Sequence, residues 1–195
     1  MSRSLIAGIS RALSPFRIRQ MRRHGVALGH GVVVLGRPLV SRIGSTEISI
    51  GNRSVLVSAS HSTALGVPQP VILRTLLPDA EIRIGHDCGL SGTVICSTTS
   101  VTIGDRCLLG SGVIIADTDF HPVGVLPRRY APLPQPVPSD AVLVDDDVFI
   151  GARAVVLKGV RIGARSVIGA GSVVTKSIPA DSVAVGVPAR VVSRL

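Results

Sequence analysis

His121 closes the run Ile115-Ala-Asp-Thr-Asp-Phe-His-Pro122, two residues after Asp119 and four after Asp117. An imidazole can take a proton from a hydroxyl near neutral pH, and a neighbouring carboxylate fixes its tautomer and stabilises the imidazolium. The trio is therefore a candidate general base with two candidate orienting acids, and spacing favours neither aspartate. The cysteines offer less. Cys88, Cys96 and Cys107 contain no Cys-x-x-Cys pair, so zinc-ribbon and dithiol readings fail. His86 precedes His121, but no second histidine follows it nearby, so this stretch offers no close histidine pair for a metal. No metal is expected, and His24, His30 and His61 read as surface residues.

Something regular must hold these residues in place. Aliphatic side chains recur every six positions at Val144, Ile150, Val156, Ile162, Ile168 and Val174. The same step links Ile103, Leu109 and Ile115, and earlier Ile84, Leu90 and Cys96. The following position is often glycine, as at Gly85, Gly104, Gly110, Gly151, Gly163 and Gly169. The fifth position of the hexads is Val-sized or smaller except at Ile178, and includes Cys88, Cys107, Val113, Ala154, Ser166 and, unusually for such a site, Asp119. A period of six scatters apolar residues around a helix, so helices do not explain it. Short strands joined by tight corners do: one aliphatic side chain points inward per strand, and glycine tolerates the corner backbone. Stacked coils then bury a continuous aliphatic column.

Composition agrees with that core. The 195 residues include one Tyr, three Phe and no Trp, while 46% are hydrophobic, so the interior must be aliphatic layers. So few aromatics also argue against a base-stacking nucleic-acid surface. No apolar run reaches the length of a membrane-spanning helix. With no signal sequence expected and an odd cysteine count, the reading is a cytoplasmic protein. The net charge of +9 is concentrated early: eight arginines fall in residues 1–42, and the first acidic residue is Glu47. Residues 1–24 read as a basic amphipathic segment with Leu5, Ile9, Leu13 and Phe16 on one helix face, interrupted by Pro15. Such a segment suits peripheral contact with an anionic membrane surface or an acidic partner. Residues 121–143 break the hexads and hold six of the 13 prolines, an extruded loop of the functional kind.

The hexads from about Val26 to Pro188 resemble the hexapeptide-repeat acyltransferases. The resemblance implies an all-β fold, a left-handed parallel β-helix over residues 25–188 with a short helical N-terminal segment and a tail at 189–195. The block from Asp117 to Pro122, followed by a loop and by Val144-Asp-Asp-Asp-Val-Phe-Ile-Gly-Ala152, is similar to the sugar O-acetyltransferase branch. In that branch a histidine at this site is the general base, which implies that role for His121. The stretches Ile168-Gly-Ala-Gly-Ser-Val-Val-Thr-Lys-Ser-Ile-Pro179 and Gly186-Val-Pro-Ala-Arg-Val-Val192 resemble the family's coenzyme A signature. Carried over, Phe149 flanks the cofactor, backbone groups of Ala152 and Ala170 meet the pantetheine arm, and Thr175, Lys176 and Arg190 lie near the adenosine phosphates. Lys176 is one of only two lysines, and an anionic donor needs cationic partners. Phe149 stands where the family often has Trp, and Val187 where it often has Asn. The resulting expectation is transfer of acetyl, or another short acyl group, from acetyl-CoA to a hydroxyl of a sugar or glycan precursor by a homotrimer, in polysaccharide biosynthesis. The competing expectation is a non-catalytic β-helix trimer that docks on a membrane or partner through its basic N-terminus.

Overall fold

The computed structural model describes residues 12–195, so Leu5 and Ile9 of the expected N-terminal helix face lie outside the described residues. From Val26 onward the chain winds into a three-sided parallel β-helix. The first face stacks Val26–Leu28, Glu47–Ile50, Glu81–Ile84, Ser100–Ile103, Val142–Val144 and Arg161–Ile162. The second stacks Val33–Leu35, Val55–Val57, Gly89–Ser91, Leu108–Leu109, Phe149–Ile150 and Val167–Ile168, then Ser182–Gly186. The third stacks Leu39–Ser41, Ile72–Thr75, Val94–Ser97, Ile114–Ala116, Val155–Val156 and Val173–Val174.

The six-residue period becomes three inward columns. Ile50, Ile84, Ile103, Val144 and Ile162 stand in register on the first face. Val34, Leu56, Leu90, Leu109, Ile150 and Ile168 do so on the second. Leu73, Ile95, Ile115, Val156 and Val174 form the third. All of these side chains are buried. Each contributes about 1.5–3 kcal/mol through removal from water, which is how a chain almost without aromatics acquires a core.

One expected column member is wrong. Ile95, not Cys96, faces the core, because the corner at Ser91-Gly92 is one residue short and Cys96 pairs with Ala116 beside the column. The hexad glycines also serve a different purpose. At Gly151 a Cβ would lie 2.5 Å from the backbone nitrogen of Ala170, so the next coil, rather than the corner dihedral, excludes a side chain. The left-handed backbone conformation falls two residues later in that turn, on Arg153 (φ 59°), as it does on Arg53, Asp87, Arg106, Asp147 and Arg165 at the preceding corner.

That corner, between first and second faces, carries an alternating ladder. Arg53 pairs with Asp87 (2.5 Å), Arg106 with Asp147 (2.7 Å) and Arg165 with Asp181 (2.5 Å). Beside it, Asn52, Asp105 and Asp146 accept backbone N–H bonds from His30, His86 and Asp105 in the coil before. His86 belongs to this ladder: its Nδ1 accepts the Asn52 N–H at 2.8 Å, a structural task rather than a ligand's.

Both ends of the helix are finished. Helix α1 (Ser14–Arg23) starts with Pro15 in its first turn, where the missing N–H costs nothing, so Pro15 begins the helix instead of interrupting it. Its packed face is Ser14, Ile18 and Met21, whereas Leu13 and Phe16 are exposed. The Ser14 hydroxyl accepts the Val34 N–H at 2.8 Å and ties the helix to the first coil. At the other end residues 189–195 are no loose tail. Ala189–Arg194 folds back antiparallel on Ser182–Gly186 and covers the last rung of the second face.

Candidate active site

The corner between third and first faces carries the loop with the candidate residues Asp117, Asp119 and His121. The chain leaves the coil after Asp117 and rejoins it at Val142, slightly offset from the expected 121–143. Because the coil stops there, the hexad count does not extend to Asp119, which is exposed; the buried carboxylate is Asp117. Asp117 Oδ1 accepts the Thr98 N–H (2.6 Å) and hydroxyl (3.0 Å), and Oδ2 accepts the Ser97 hydroxyl (2.8 Å) and the Thr99 N–H (2.8 Å). Its whole accepting capacity is thus spent on the turn of the preceding coil.

Asp119 is held differently. Its carboxylate lies 2.9 Å from the Lys158 ammonium, which also reaches Asp140 at 3.4 Å. The two carboxylates raise the Lys158 pKa, the bond to Asp119 most of all. The Asp119 carbonyl accepts the His121 N–H at 2.6 Å across Phe120, whose φ of 60° is left-handed. A phenylalanine in that conformation is uncommon and strained, a feature that concentrates at functional sites. The His121 imidazole is exposed and has no hydrogen-bond or ion-pair partner among the described residues. Neither aspartate, then, touches the imidazole.

The donor-side candidates divide between two corners. Ala152 and Ala170 line a groove of about 600 Å³ along the corner between second and third faces, with Ser111, Arg153 and Gly171. Its other wall is a loop missed in the sequence, between Val55–Val57 and Ile72–Thr75, which contributes Ser60, Gly66 and Pro68. The loop is pinned across the groove: Ser111 Oγ donates to the Gly66 carbonyl (2.6 Å) and Gln69 Nε2 to that of Gly92 (2.8 Å). Thr175 and Lys176 are exposed on the other corner, one coil beyond Leu157 and Lys158. One third-face strand separates them from Ala170. Phe149 points outward from the second face between Leu108 and Val167, away from this groove. Arg190 sits on the terminal hairpin opposite Val185 and donates to the carbonyl of Ala189 (2.9 Å).

The cysteines are buried and free. Cys88 and Cys107 stack in adjacent coils and donate to the carbonyls of Gly104 and Asp145 (both 3.1 Å), and burial pushes the Cys96 thiol up. None is placed to act as a nucleophile.

A β-helix of hexapeptide coils, interrupted by a proline-rich loop whose neck bears the exposed His121, is the arrangement to set beside known families. The family described as "Bacterial transferase hexapeptide (six repeats)" matches residues 141–176, and "Hexapeptide repeat of succinyl-transferase" matches 81–117. Both matched segments are hexapeptide repeats of transferase families, and the fold resembles the left-handed parallel β-helix of hexapeptide-repeat acetyltransferases. It is 42% identical over 118 residues to the galactoside O-acetyltransferase of Escherichia coli (strain K12), covering 60% of this chain and 55% of that one. It is 36% identical over 93 residues to a 2,3,4,5-tetrahydropyridine-2,6-dicarboxylate N-acetyltransferase of Staphylococcus aureus (strain bovine RF122 / ET3-1), covering 48% of this chain and 33% of that one. The matches thus span a third to just over half of these relatives. Among solved structures, the N-acyltransferase AntD from Bacillus cereus superposes with a TM-score of 0.67 at 20% identity, covering 90% of this chain and 87% of that one. The Vibrio cholerae acetyltransferase VCA0836 gives 0.59 at 23% identity, covering 99% and 88%. At these identities the structural likeness is one of fold.

Proposed function

We propose that the protein is an acyltransferase that moves acetyl, or another short acyl group, from acetyl-CoA to a hydroxyl of a sugar or glycan precursor. The observation that carries this reading is His121: an exposed imidazole, unengaged by any described residue, at the neck of the long proline-rich loop that leaves the coil after Asp117. His121 takes the acceptor proton as the hydroxyl oxygen attacks the thioester carbonyl. The tetrahedral adduct then collapses, the carbon–sulfur bond breaks, and the imidazolium returns its proton to the departing thiolate. Backbone N–H groups at the coil stabilise the oxyanion. Transfer is direct, since all three thiols are buried.

The donor's pantetheine arm is assigned to the groove beside Ala152 and Ala170, and its phosphates to Lys176 and Arg190. The outward surfaces favour a homotrimer. The first face is charged, with Glu47, Glu81, Arg83 and Arg161, whereas the other two expose apolar side chains such as Leu108, Phe149, Leu39 and Ile114. Such faces are suited to a neighbouring subunit. Relatives of both kinds occur; we take oxygen as the acceptor atom because the O-acetyltransferase matches more of this chain at higher identity (60% at 42%) than the N-acetyltransferase does (48% at 36%), and a glycan precursor puts the reaction in polysaccharide assembly.

The test is His121→Ala, assayed for acetyl transfer to a panel of hydroxyl- and amine-bearing sugars and for acetyl-CoA binding by calorimetry. Donor binding is expected to persist while transfer falls about a hundredfold or more. Wild-type transfer by the variant would remove His121 from the chemistry, and a wild-type protein that binds no donor would remove coenzyme A.

A further inference from the structure

Lys158 joins the two ends of the His121 loop. Its ammonium is 2.9 Å from Asp119, where the chain leaves, and 3.4 Å from Asp140, where it returns. It has no other ion-pair partner among the described residues. The Asp140 carboxylate is only 17% exposed, so this half of the contact is shielded from water. The backbone supports the same junction. The Gly159 N–H donates to the Asp140 carbonyl at 2.7 Å, and a Cβ on Gly159, whose φ is 71°, would lie 2.8 Å from the Ser139 carbonyl oxygen. The returning strand end is therefore fixed on the coil by the main chain as well as by Lys158. Among the described residues the departing end shows no equivalent main-chain bond; after Asp117, the ion pair that reaches back to the coil is Asp119 with Lys158. Because the Asp119 carbonyl also holds the His121 N–H at 2.6 Å, whatever fixes Asp119 fixes the imidazole's backbone two residues later.

We infer that Lys158 is the positioning residue for His121, a clasp that closes the neck of the loop and sets where the base stands relative to the coil. The inference rests on the acyltransferase reading above and adds to it a residue that acts through Asp119 rather than on the reacting atoms. It also reassigns Asp119. Its carboxylate orients the base through Lys158 and the backbone instead of through a hydrogen bond to the ring. The loop between Asp119 and Asp140 is long and rich in proline, and Val123, Leu126 and Tyr130 are exposed on it. Without the clasp, its departing end samples more conformations, and the base is out of place for most of them. Misplacement of a catalytic group by about 1 Å costs on the order of a hundredfold in rate.

Lys158→Met keeps the stem of the side chain and removes the charge; Lys158→Arg restores a cation. In Lys158→Met the acetyl-transfer kcat is expected to drop about tenfold to a hundredfold, with the KM for acetyl-CoA and the unfolding midpoint near wild type, and Lys158→Arg is expected to regain much of it. Trypsin supplies a readout independent of activity. Cleavage at Arg128 and Arg129 is expected to be several-fold faster in Lys158→Met, because the loop opens without global unfolding. Unchanged kcat and unchanged cleavage in a folded Lys158→Met protein would overturn the clasp. Faster cleavage with unchanged kcat would leave a tether and refute the positioning role. If His121→Ala is fully active the base assignment fails by itself, and the proteolysis arm still decides whether the clasp exists.

Discussion

Replacing Asp117 by asparagine exchanges one carboxylate oxygen for an NH2 group and removes the charge at nearly unchanged shape, which makes it a sharp probe of a buried carboxylate. Oδ1 accepts the Thr98 N–H at 2.6 Å and Oδ2 the Thr99 N–H at 2.8 Å. An asparagine satisfies one of these main-chain donors; in either flip its NH2 faces the other. The Ser97 and Thr98 hydroxyls can rotate and accept from that NH2, but a peptide N–H cannot. One buried N–H is therefore stranded, at a cost of about 1–3 kcal/mol, and the surviving bonds lose their charge assistance. The expected loss is about 2–4 kcal/mol for Asp117→Asn, and about 3–5 kcal/mol for Asp117→Ala, which strands both N–H groups. Urea unfolding at one fixed protein concentration measures this as a lowered midpoint at an unchanged slope. An Asp117→Asn protein within about 0.5 kcal/mol of wild type would refute the reasoning, since it would mean that water or backbone movement satisfies the 97–99 turn without the second oxygen.

Gly151→Ala is expected to lower the unfolding midpoint and weaken acetyl-CoA binding together, because the added methyl meets Ala170 backbone at 2.5 Å and pushes apart the coils that carry Ala152 and Ala170; unchanged calorimetric affinity would separate the groove from the donor. Asp87, Asp147 and Asp181 are each held below the ordinary carboxylate value of 3.8 by Arg53, Arg106 and Arg165. A folded-state value below the unfolded one means that the stabilisation is present above the unfolded value and is lost as pH falls through the folded one. The thermal midpoint is therefore expected to fall as pH drops below about 4, and that of Asp147→Asn to lie below wild type at pH 7 and converge with it in acid.

The core was legible because the repeat is local. Six residues of chain specify one strand and one corner, and each coil's inward side chain repeats the last, so counting from Val144 to Val174 recovers columns that are formed between residues far apart in sequence. The count failed where the chain changed its step. At Ser91-Gly92 a corner is one residue short, and arithmetic promoted Cys96 over Ile95. After Asp117 the coil ends, and the same arithmetic placed Asp119 in a buried site that it does not occupy. The loop behind the groove carried a usable signal, Gly66 with Pro68 and Pro70 between aliphatic Leu56 and Leu73, which are further apart than any hexad allows.

Lys158 carried no such local signal. Its partners are Asp119 and Asp140, and what brings them together is stacking: the pairing of Ile114 and Ile115 with Val155 and Val156 places the Leu157-Lys158 corner beneath the point where the chain departs. A sequence pattern records which face a residue occupies, while a contact between corners also requires the register of one coil on the next. That register is fixed by the aliphatic columns, so the repeat that holds no catalytic residue decides which charges meet at the loop's neck. The same dependence explains why the proposed base, His121, and the groove residues Ala152 and Ala170 lie on different corners of one chain. With a third-face strand between them, a donor held in the groove meets His121 only across that face, which is one of the two apolar faces suited to a neighbouring subunit.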